Sequence, residues 1–544
     1  MREGFFGFNV ALRGLYTAQR SLDVVNHNIS NVNTPGYSRQ QAVQQADRPI
    51  ALYDGTGMLG TGSITTEINR VRDEYLDYKY WSESVAQGEW DAKSTLLSDL
   101  EVTFNEPSDS GFNKILDEFY SSLHELGKDP DSEAVRALVR EKGVTAAKYF
   151  NSLATHFEKL QSDINYSVDI KVSEVNSLAG QIVQLNKQIY TSELDGNTAN
   201  DLRDQRGVLI DKLSRIVNIE VNEVVVSKRY DGREDKHMVI TISGKPIVDH
   251  FDVSKLKVVK REDKLNEEDI ENLFEVKWED GNKLNIRGGE LKGLIDVRDG
   301  NEGISNGTQA SPYYKGIPYY QRKLNEFVRK FAMSFNEGMI DSNQNGIIEA
   351  SEDGTGHADG YGIDPDGEGG LQSPTGIRFF TMLGQDRKPI DTSAFLDGAT
   401  EPDTIADRYK NMTAKNFSIS KDVADNFNTI AASDKPGEVG NINNLSILIK
   451  ERHNPHMFVE GAPEDFMKAL VTTIGIDKQQ ASRICDSQAT ILLQIENRRF
   501  STSGVSLDEE MANMVRFQHA YNAAAKMITT MAEIYDILVN RIGV

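Results

Sequence analysis

The sequence contains very little cysteine and no long apolar run. Cys485 is the single cysteine among 544 residues, so no disulfide can form within the chain. It lies in a helical pattern with Arg483 as its only basic neighbour, which predicts a buried structural thiol rather than a reactive one. No stretch is apolar over the roughly 20 residues that a membrane span needs. The first ten residues also lack the charged and apolar regions of a cleavable signal peptide.

Basic residues are scarce relative to acidic ones. The chain has 60 Lys and Arg against 83 Asp and Glu, a formal net charge of −23. Nucleic-acid binding depends on basic patches that attract phosphates, so this balance argues against a nucleic-acid partner. We expect a highly soluble monomer that binds neither nucleic acid nor membrane.

Motifs of the common enzyme families are missing. The sequence has no Gly-x-Ser-x-Gly elbow, no His-Glu-x-x-His and no phosphate-binding loop. Carboxylates are abundant, but no pair of them is distinguished as a general acid and base. Composition alone does not exclude glycosidase chemistry. His453 and His456 flank a proline without other ligands nearby, which favours surface residues over metal ligands. The sequence therefore predicts a protein that is not an enzyme.

The C-terminal segment shows a heptad pattern sustained over five repeats. Alternating steps of four and three from Leu507 reach positions of which ten in eleven are apolar or aromatic. These positions are Leu507, Met511, Met514, Gln518, Tyr521, Ala525, Ile528, Ala532, Tyr535, Val539 and Ile542. Such a repeat makes helices supercoil, so this long helix needs a partner.

The N-terminal segment supplies a matching pattern. The same spacing connects Phe8, Ala11, Leu15, Ala18, Leu22, Val25, Ile29 and Val32. Residues 1–45 carry a net charge of +2 and residues 506–544 a net charge of −2, which favours antiparallel or hairpin-like pairing. We expect the following seam residues to form an assembly interface: Leu15, Leu22, Val25, Ile29, Val32, Met511, Met514, Tyr521, Ile528, Tyr535 and Val539.

The segment between the first seam and the next element carries a specific signature. Residues 26–37 read NHNISNVNTPGY, in which Pro35 and Gly36 end the helix. This segment resembles the N-terminal signature of the flagellar axial proteins, the rod, hook and hook-associated proteins. Three further segments, NDLRDQR at 200–206, GGELKGLIDVR at 288–298 and SGVSLDEEM at 503–511, are similar to the FlgK-type family of hook–filament junction proteins.

Periodicity predicts a mainly α, multidomain protein with β insertions: a paired terminal coiled coil, a helical bundle and a small antiparallel β domain. Residues 70–217 are predicted to form about four helices, including a long one from Phe150 to Leu194. After this long helix, an exposed ion-pair cluster is predicted on a helix at Asp201, Arg203, Asp204 and Arg206. The predicted boundaries are 1–45 and 505–544 for the two halves of the coiled coil, 46–217, 288–340 and 416–504 for three parts of the helical domain, 218–287 for the β domain, and 341–415 for a variable Gly/Asp-rich insert.

The insert begins with a segment that fits an EF-hand loop. Residues 341–352 read DSNQNGIIEASE, with Gly346 at the sharp turn and a helix before it. The predicted calcium ligands are Asp341, Asn343, Asn345, Ile347 (through its carbonyl), Glu349 and Glu352. No helix follows the loop, and residues 341–369 hold eight acidic and no basic residues, so a solvated acidic loop is the alternative.

The family resemblance implies a structural protein of the hook–filament junction. It implies export through the flagellar type III channel, a ring on the hook tip, and contacts with the hook protein, a second junction protein and neighbouring subunits. A cytoplasmic export chaperone for the C-terminal helix is implied as well. Two alternatives are another axial protein, of the hook or distal rod, and an enzyme or calcium-dependent adhesin carried on flagellar ends.

Overall fold

A computed structural model shows a mainly helical chain with several small antiparallel sheets, which confirms the predicted fold class. The structure describes residues 6–51, 57–104, 111–194, 196–228, 234–304, 310–341, 343, 349–350, 356–363, 373–397 and 405–540.

The helices include one of 62 residues, which spans about 90 Å at 1.5 Å per residue. They are α1 (Phe6–Ser30), α2 (Glu74–Phe104), α3 (Phe112–Lys128), α4 (Glu133–Leu194), α5 (Asn200–Ile216), α6 (Glu290–Asp299), α7 (Ile317–Glu337), α8 (Thr392–Asp397), α9 (Ile405–Arg408), α10 (Lys421–Asp425), α11 (Asn443–Lys450), α12 (Pro463–Ser503) and α13 (Leu507–Asn540). Four of them lie between residues 70 and 217, as predicted. None of the described helices combines the length and apolar character needed to cross a membrane.

The long helix α4 begins at Glu133, before the predicted start at Phe150. Its extra N-terminal turns are held by buried side chains at helical spacing, among them Val139 and Ala146. Arg136 is also buried there: its Nε donates to the Pro130 carbonyl at 2.8 Å and its Nη1 to the Ile430 carbonyl at 2.7 Å. Burial lowers the pKa of this guanidinium to about 10. Arg136 thus ties the start of α4 to a loop almost 300 residues away.

The strands are short, and most pair with a sequence neighbour. They are β1 (Gln40–Ala46), β2 (Ile50–Ala51), β3 (Met58–Leu59), β4 (Ser63–Arg70), β5 (Glu220–Lys228), β6 (Glu234–Ile242), β7 (Lys245–Asp249), β8 (Asp252–Val253), β9 (Leu256–Lys260), β10 (Phe274–Trp278), β11 (Met339–Ile340), β12 (Glu349–Ala350), β13 (Phe380–Met382) and β14 (Phe417–Ile419). β5 to β8 form an antiparallel sheet and β9 pairs with β10, so strands occur in the region predicted as a β domain.

The helical body is closed by segments that are far apart in sequence. α2 packs along α12 and also contacts α5 and α6, while α7 contacts α4, α6 and α12. The centre of this packing is Phe327, whose ring is fully buried. Ring centroids within 6 Å of it belong to Phe112, Phe150, Phe331, Phe458 and Phe466. Aromatic side chains from five parts of the chain therefore form one core.

His357 is a buried histidine whose burial keeps it neutral. Its Nδ1 lies 2.7 Å from the carbonyl oxygen of Ile377, which can only accept, so Nδ1 carries the proton. Its Nε2 accepts from the backbone N–H of Ala431 at 3.0 Å. Protonation would remove that acceptor and place a charge in the core. Burial accordingly lowers the pKa of His357 to about 4.

Because His357 is buried in its neutral form, we expect the protein to lose stability in mild acid. A depressed pKa means that the unfolded chain binds the proton more readily than the folded one. The contribution of the neutral His357 to the free energy of unfolding is therefore complete above about pH 6.5 and declines as pH falls towards 4. At pH 5 the loss should reach about 2 kcal/mol relative to pH 7. Thermal melting between pH 7 and 5 measures it. His357→Gln, which keeps one donor and one acceptor, should reduce the slope, and the surface variant His456→Gln is the matched control. Equal slopes in all three proteins would contradict this assignment.

Candidate assembly interface

The two ends of the chain meet as an antiparallel helix pair, as the heptad patterns predict. Asn28 near the end of α1 bonds Glu510 near the start of α13, with Nδ2 to Oε2 at 3.1 Å. Gly14 lies against Ala524, and Gly7 lies against Met531. Each step of seven residues along α1 is matched by a step of seven in the opposite direction along α13. The seven-residue periodicity thus matches an antiparallel pair.

The side of α13 that faces α1 differs in part from the predicted seam. Half-buried positions include Met514, Tyr521, Ile528 and Tyr535, which the pattern predicts. At three of the four alternate positions the prediction is wrong by one residue: Glu510, Phe517 and Met531 are buried or half-buried, whereas Met511, Gln518 and Ala532 are exposed. At the fourth, Ala525 is half-buried as predicted, and so is its neighbour Ala524. The reason lies on α1, where Gly7, Gly14, Ser21 and Asn28 repeat every seven residues. Two of these are glycines, which leave room for Ala524 and Met531.

The predicted interface residues occupy different environments in the single chain. On α1, Val25 is buried, while Leu15, Leu22 and Ile29 on the helix and Val32 just beyond it are half-buried. On α13, Met514, Tyr521, Ile528 and Tyr535 are half-buried, and Met511 is exposed over 60% of its surface. The side chain of Val539 lies outside the described residues. Their role in assembly remains a prediction.

A glycine-dependent turn follows α1. Gly36 has a φ of +76°, a left-handed conformation that other residues adopt at a cost. A Cβ at this position would also lie 2.2 Å from Cγ2 of Val208 on α5, so no larger residue fits. The next residue, Tyr37, donates its hydroxyl to Oδ1 of Asn28 at 2.8 Å. Burial, followed by the charges of Asp201, Asp204 and Glu510, raises the pKa of this tyrosine. The signature segment is therefore a turn packed on the helical body.

Beyond this turn, a polar cluster joins α1, β1 and α13. Asn28 bonds both backbone groups of Gln40, accepting from its N–H and donating to its carbonyl, each at 2.9 Å. Glu510, with 2% of its side chain exposed, accepts from Nε of Arg39 at 2.8 Å and from Asn28. The backbone N–H of Arg39 donates to the Ser503 carbonyl at 2.8 Å. Because Glu510 is buried with its donors, it aligns the two terminal helices.

Asp204 connects this region to the helical body. Its carboxylate accepts from the backbone N–H of Ser38 at 2.7 Å and from the Ser38 hydroxyl at 2.8 Å. Nη1 of Arg70 lies 2.7 Å away and Nη1 of Arg72 3.4 Å away. Only 5% of the Asp204 side chain is exposed. One carboxylate on α5 therefore holds both the chain entering β1 and the chain leaving β4.

The prediction of an exposed ion-pair cluster on α5 is wrong for Asp204 and Arg206. Both are buried, and Arg206 donates to Oδ1 of Asn186 at 2.9 Å and to Glu223 at 2.8 Å. Burial lowers the pKa of Arg206 to about 10. Asp201 fits the prediction better, with 53% of its side chain exposed. The burial arises because strands and turns from other parts of the chain cover this side of α5.

The ion pairs continue from α5 to α12. Arg72 bonds Asp77 on α2 at 2.7 Å, and Arg499 on α12 bonds the same Asp77 at 2.9 Å. Arg499 also reaches Asp211 on α5 at 3.1 Å, and Asp211 accepts from the indole N–H of Trp81 at 2.6 Å. This network adjoins the start of the C-terminal helix, because α12 leads through Gly504 into α13. Sequence periodicity missed it, since the partners are far apart along the chain.

The rest of α13 leaves most of its apolar surface uncovered. Among its described side chains only Glu510 is buried. Between 45% and 60% of the residue surface is exposed at Leu507, Met511, Val515, Met527, Ile534 and Ile537. Six exposed apolar side chains along one helix mark an interaction surface.

The segment predicted to bind calcium is described only at its ends. Asp341 is buried and Asn343 donates to Oε2 of Glu349 at 3.1 Å. Asn345, Ile347 and Glu352 lie outside the described residues. β11 pairs with β12 across the segment, with Ile340 opposite Glu349. Among the described residues no group of three or more His, Cys, Asp or Glu side chains is arranged to hold a metal ion. Calcium binding remains a prediction.

Calcium should raise the melting temperature if this segment binds it. Single extracellular loops bind with dissociation constants of about 10⁻⁴ to 10⁻³ M, so 5 mM Ca²⁺ should stabilise the fold by roughly 1–2 kcal/mol relative to EGTA. Glu352→Gln should abolish the difference, because position twelve supplies the bidentate carboxylate. Glu438→Gln, an exposed change elsewhere on the surface, serves as the control. Identical melting curves with Ca²⁺ and EGTA would favour the solvated acidic loop.

Cys485 is half-buried rather than fully buried. Burial raises the pKa of its thiol, and the charge of Asp91 adds to that shift. Both effects disfavour the reactive thiolate, which fits a structural residue.

The paired ends and the turn between α1 and β1 define the class of the protein. Residues 8–37 match the family model for flagella basal body rod proteins, and residues 497–541 match that for the C-terminal region of flagellar basal body rod FlgEFG proteins. These segments contain α1 with its signature turn and α13 with its junction to α12. The chain is thus a flagellar axial protein.

The helical body indicates which family of flagellar axial proteins the chain resembles. Residues 97–346 match the model for the helical domain of flagellar hook-associated protein FlgK. The chain is 30% identical to flagellar hook-associated protein 1 of Bacillus subtilis (strain 168) over all of this chain and 99% of that protein. It is 23% identical to the Escherichia coli (strain K12) protein of the same name, over 98% of this chain and 99% of that protein.

A solved structure agrees with this fold. The flagellar hook junction protein FlgK from Burkholderia pseudomallei aligns with a TM-score of 0.53 and 13% identity, over 79% of this chain and all of that chain. The chain belongs to the flagellar hook-associated protein 1 family. It is a structural protein of the bacterial flagellum at the hook–filament junction.

Proposed function

We propose that the subunit stacks as a ring on the tip of the hook and adapts the hook to the filament. The observation that carries this proposal is the uncovered apolar side of α13. Since α1 covers only one side of that helix, neighbouring copies are needed to cover the rest. Head-to-tail contacts between identical subunits produce rings or helical arrays.

The partners follow from this position. The ring would contact the hook protein below it, a second hook–filament junction protein above it, and its own copies at the sides. Before assembly, a cytoplasmic chaperone would cover α13, because six exposed apolar side chains along one helix promote aggregation. The subunit would leave the cell through the flagellar type III export apparatus. A chain with one cysteine suits such a route, because no internal disulfide has to be broken or reformed.

The proposal includes no chemical turnover. The ion pairs around Asp204 and Arg499 are packed between helices and serve to hold them together. Screens with peptidoglycan, peptide and phosphoester substrates should return background rates. A rate that a single carboxylate substitution abolishes would overturn this part of the proposal.

Electron microscopy of detached flagella tests the position. A tag carried by the full-length protein should appear at the junction of hook and filament, and a strain lacking the protein should bear hooks without filaments. Label along the rod or within the hook would contradict the proposal and favour a different axial role.

A further inference from the structure

A basic cleft lies on the side of the helical body that carries the β9–β10 hairpin. It has a volume of about 800 Å³ and is lined by the hairpin, residues 261–265, residues 283–286, α6 and residues 310–312. Seven basic residues and four acidic ones line it, although the whole chain has a net charge of −23. The acidic four are Glu262, Asp263, Glu275 and Asp299. A concave surface with an excess of one charge concentrates ligands of the opposite charge, so the cleft suits an anion.

Lysines around the hairpin carry positive charge that the chain does not neutralise. Glu275 pairs with Lys277 at 2.9 Å and with Lys283 at 3.2 Å, and a single carboxylate offsets only one of these two charges. Lys260 and Lys264 are exposed at the cleft, and neither forms an ion pair within the part of the chain that the structure describes. An entering anion therefore meets these ammonium groups without breaking an existing ion pair.

The buried wall of the cleft contains two hydrogen-bond donors that lack an acceptor. Asp299 is shared by two guanidiniums, since it bonds Nη2 of Arg298 at 2.8 Å and also pairs with Nη2 of Arg261. The other terminal nitrogen of Arg261, Nη1, is buried and has no hydrogen-bond partner among the described residues. Ser311 is 5% exposed, and its hydroxyl is likewise unpaired. A buried donor without an acceptor is costly, and an oxyanion is a strong acceptor for such donors. These two atoms are an observation independent of the charge count.

The size of the cleft and the charge of the whole chain favour a small ligand. Clefts of roughly 300–1,000 Å³ are typical of small-molecule sites, and this one lies in that range. A large polyanion, such as a nucleic acid or an anionic membrane, would also approach the acidic remainder of a chain of net charge −23. A small anion inside the cleft is screened from most of that charge, because the Debye length is about 8 Å at physiological salt.

We propose that this cleft binds a small ligand that carries two or more oxyanion groups, either carboxylates or phosphates. One group accepts from Arg261 and Ser311 in the buried wall, and another pairs with Lys260 and Lys264. Because the lining comes from separate parts of the chain, the ligand ties the hairpin to α6 and to residues 310–312. The inference goes beyond the proposed function and concerns the isolated subunit, so its outcome is independent of the position at the hook tip.

Titration calorimetry of the full-length subunit with citrate and with pyrophosphate tests the proposal. The buffer is freed of divalent cations with a chelating resin, so that neither probe acts by removing calcium. At least one probe should bind and raise the melting temperature, and its affinity should fall roughly tenfold or more between about 20 mM and 500 mM NaCl. Binding of citrate alone indicates a carboxylate ligand, and binding of pyrophosphate alone a phosphate ligand. If neither probe exceeds sodium chloride of equal ionic strength, the proposal is overturned.

Charge reversal locates the binding in the cleft. Lys260→Glu/Lys264→Glu should weaken the binding of the probe by roughly tenfold or more, because two attractive charges become repulsive. Lys187→Glu/Lys255→Glu makes the same change in net charge at two exposed lysines outside the cleft and should bind as the wild type does. Equal affinities in the two double variants would contradict a site in this cleft.

Ser311→Ala separates ligand binding from a structural role. The unliganded variant should melt at or above the wild-type temperature, because the substitution removes a buried hydroxyl that has no partner among the described residues. Its affinity for the probe should nevertheless fall about fivefold, since the ligand loses a donor. A variant that binds the probe as tightly as the wild type would overturn the role given to the buried wall and, with it, the proposed mode of binding.

Discussion

Asp204→Ala should destabilise the full-length subunit by roughly 3–5 kcal/mol, the usual cost of removing one partner from a buried ionic cluster. The substitution leaves the guanidiniums of Arg70 and Arg72 without their shared carboxylate, and it frees the backbone N–H of Ser38. Calorimetric melting of the purified chain measures the change. Proteolytic cleavage within residues 31–40 should become faster, because that segment loses its attachment to α5.

Asp201→Ala is the matched control for this experiment. It removes an aspartate from the same helix, but 53% of that side chain is exposed, and its partners are the partly exposed His27 and Nε2 of Gln40, which donates at 2.6 Å. An exposed pair contributes at most about 1 kcal/mol, so the melting temperature should change little. Equal losses from the two substitutions would show that the buried cluster has no special role in holding the termini.

Ile528→Asp should abolish incorporation at the hook tip while leaving the melting of the helical and β regions unchanged. Ile528 is a half-buried seam position on α13, and a charge there opposes helix pairing. Hook-tip occupancy by electron microscopy and swimming in soft agar both measure the effect. Asn522→Asp adds the same charge at an exposed polar position of the same helix and should assemble normally. A fully assembling Ile528→Asp protein would contradict an interface built on the seam.

The small apolar area that α13 buries in the single chain predicts that the terminal helices fold upon assembly. Each ordered residue costs roughly 1–2 kcal/mol of backbone entropy, and α13 buries little apolar surface in the single chain to offset it. Limited proteolysis of the monomer should trim both ends, near residues 35–60 and 495–506, and leave a resistant core. Within residues 35–40 the cleavage should be slower than in Asp204→Ala, because Ser38 is attached to α5 in the wild-type chain. Protease-resistant termini with slow amide exchange would instead indicate a self-sufficient helix pair.

The elements of this fold follow largely from local sequence signals. Heptad spacing predicts α1, α13 and their antiparallel pairing, because periodicity and opposite net charge are properties of each segment alone. The breakers at 128–132 separate α3 from α4, and short β-branched runs predict the strands between residues 218 and 287. The signature at 26–37 suggests the class of flagellar axial proteins, and the segments at 200–206, 288–298 and 503–511 suggest the family to which the chain belongs.

The side of each helix that is covered depends on the partner. The apolar pattern of α13 predicts Met511 as a seam residue, yet the structure covers Glu510, because Asn28 and Arg39 supply donors for its carboxylate. From the sequence alone, Glu510 is expected to be exposed and Met511 buried. Only the positions of Asn28 and Arg39 in the fold show that the glutamate is the buried residue. Hydrophobic periodicity therefore determined the helix and its seven-residue repeat, and tertiary packing decided its rotation.

Buried charge is the second feature that only the tertiary structure decided. The sequence by itself determined that α5 is a helix carrying Asp201, Arg203, Asp204 and Arg206, and its composition favours exposure. The structure buries Asp204 because Ser38, Arg70 and Arg72, more than 130 residues away along the chain, converge on it. A charge is stable inside a protein only where its partners meet it. That meeting is a property of the fold, and the sequence of α5 alone does not contain it.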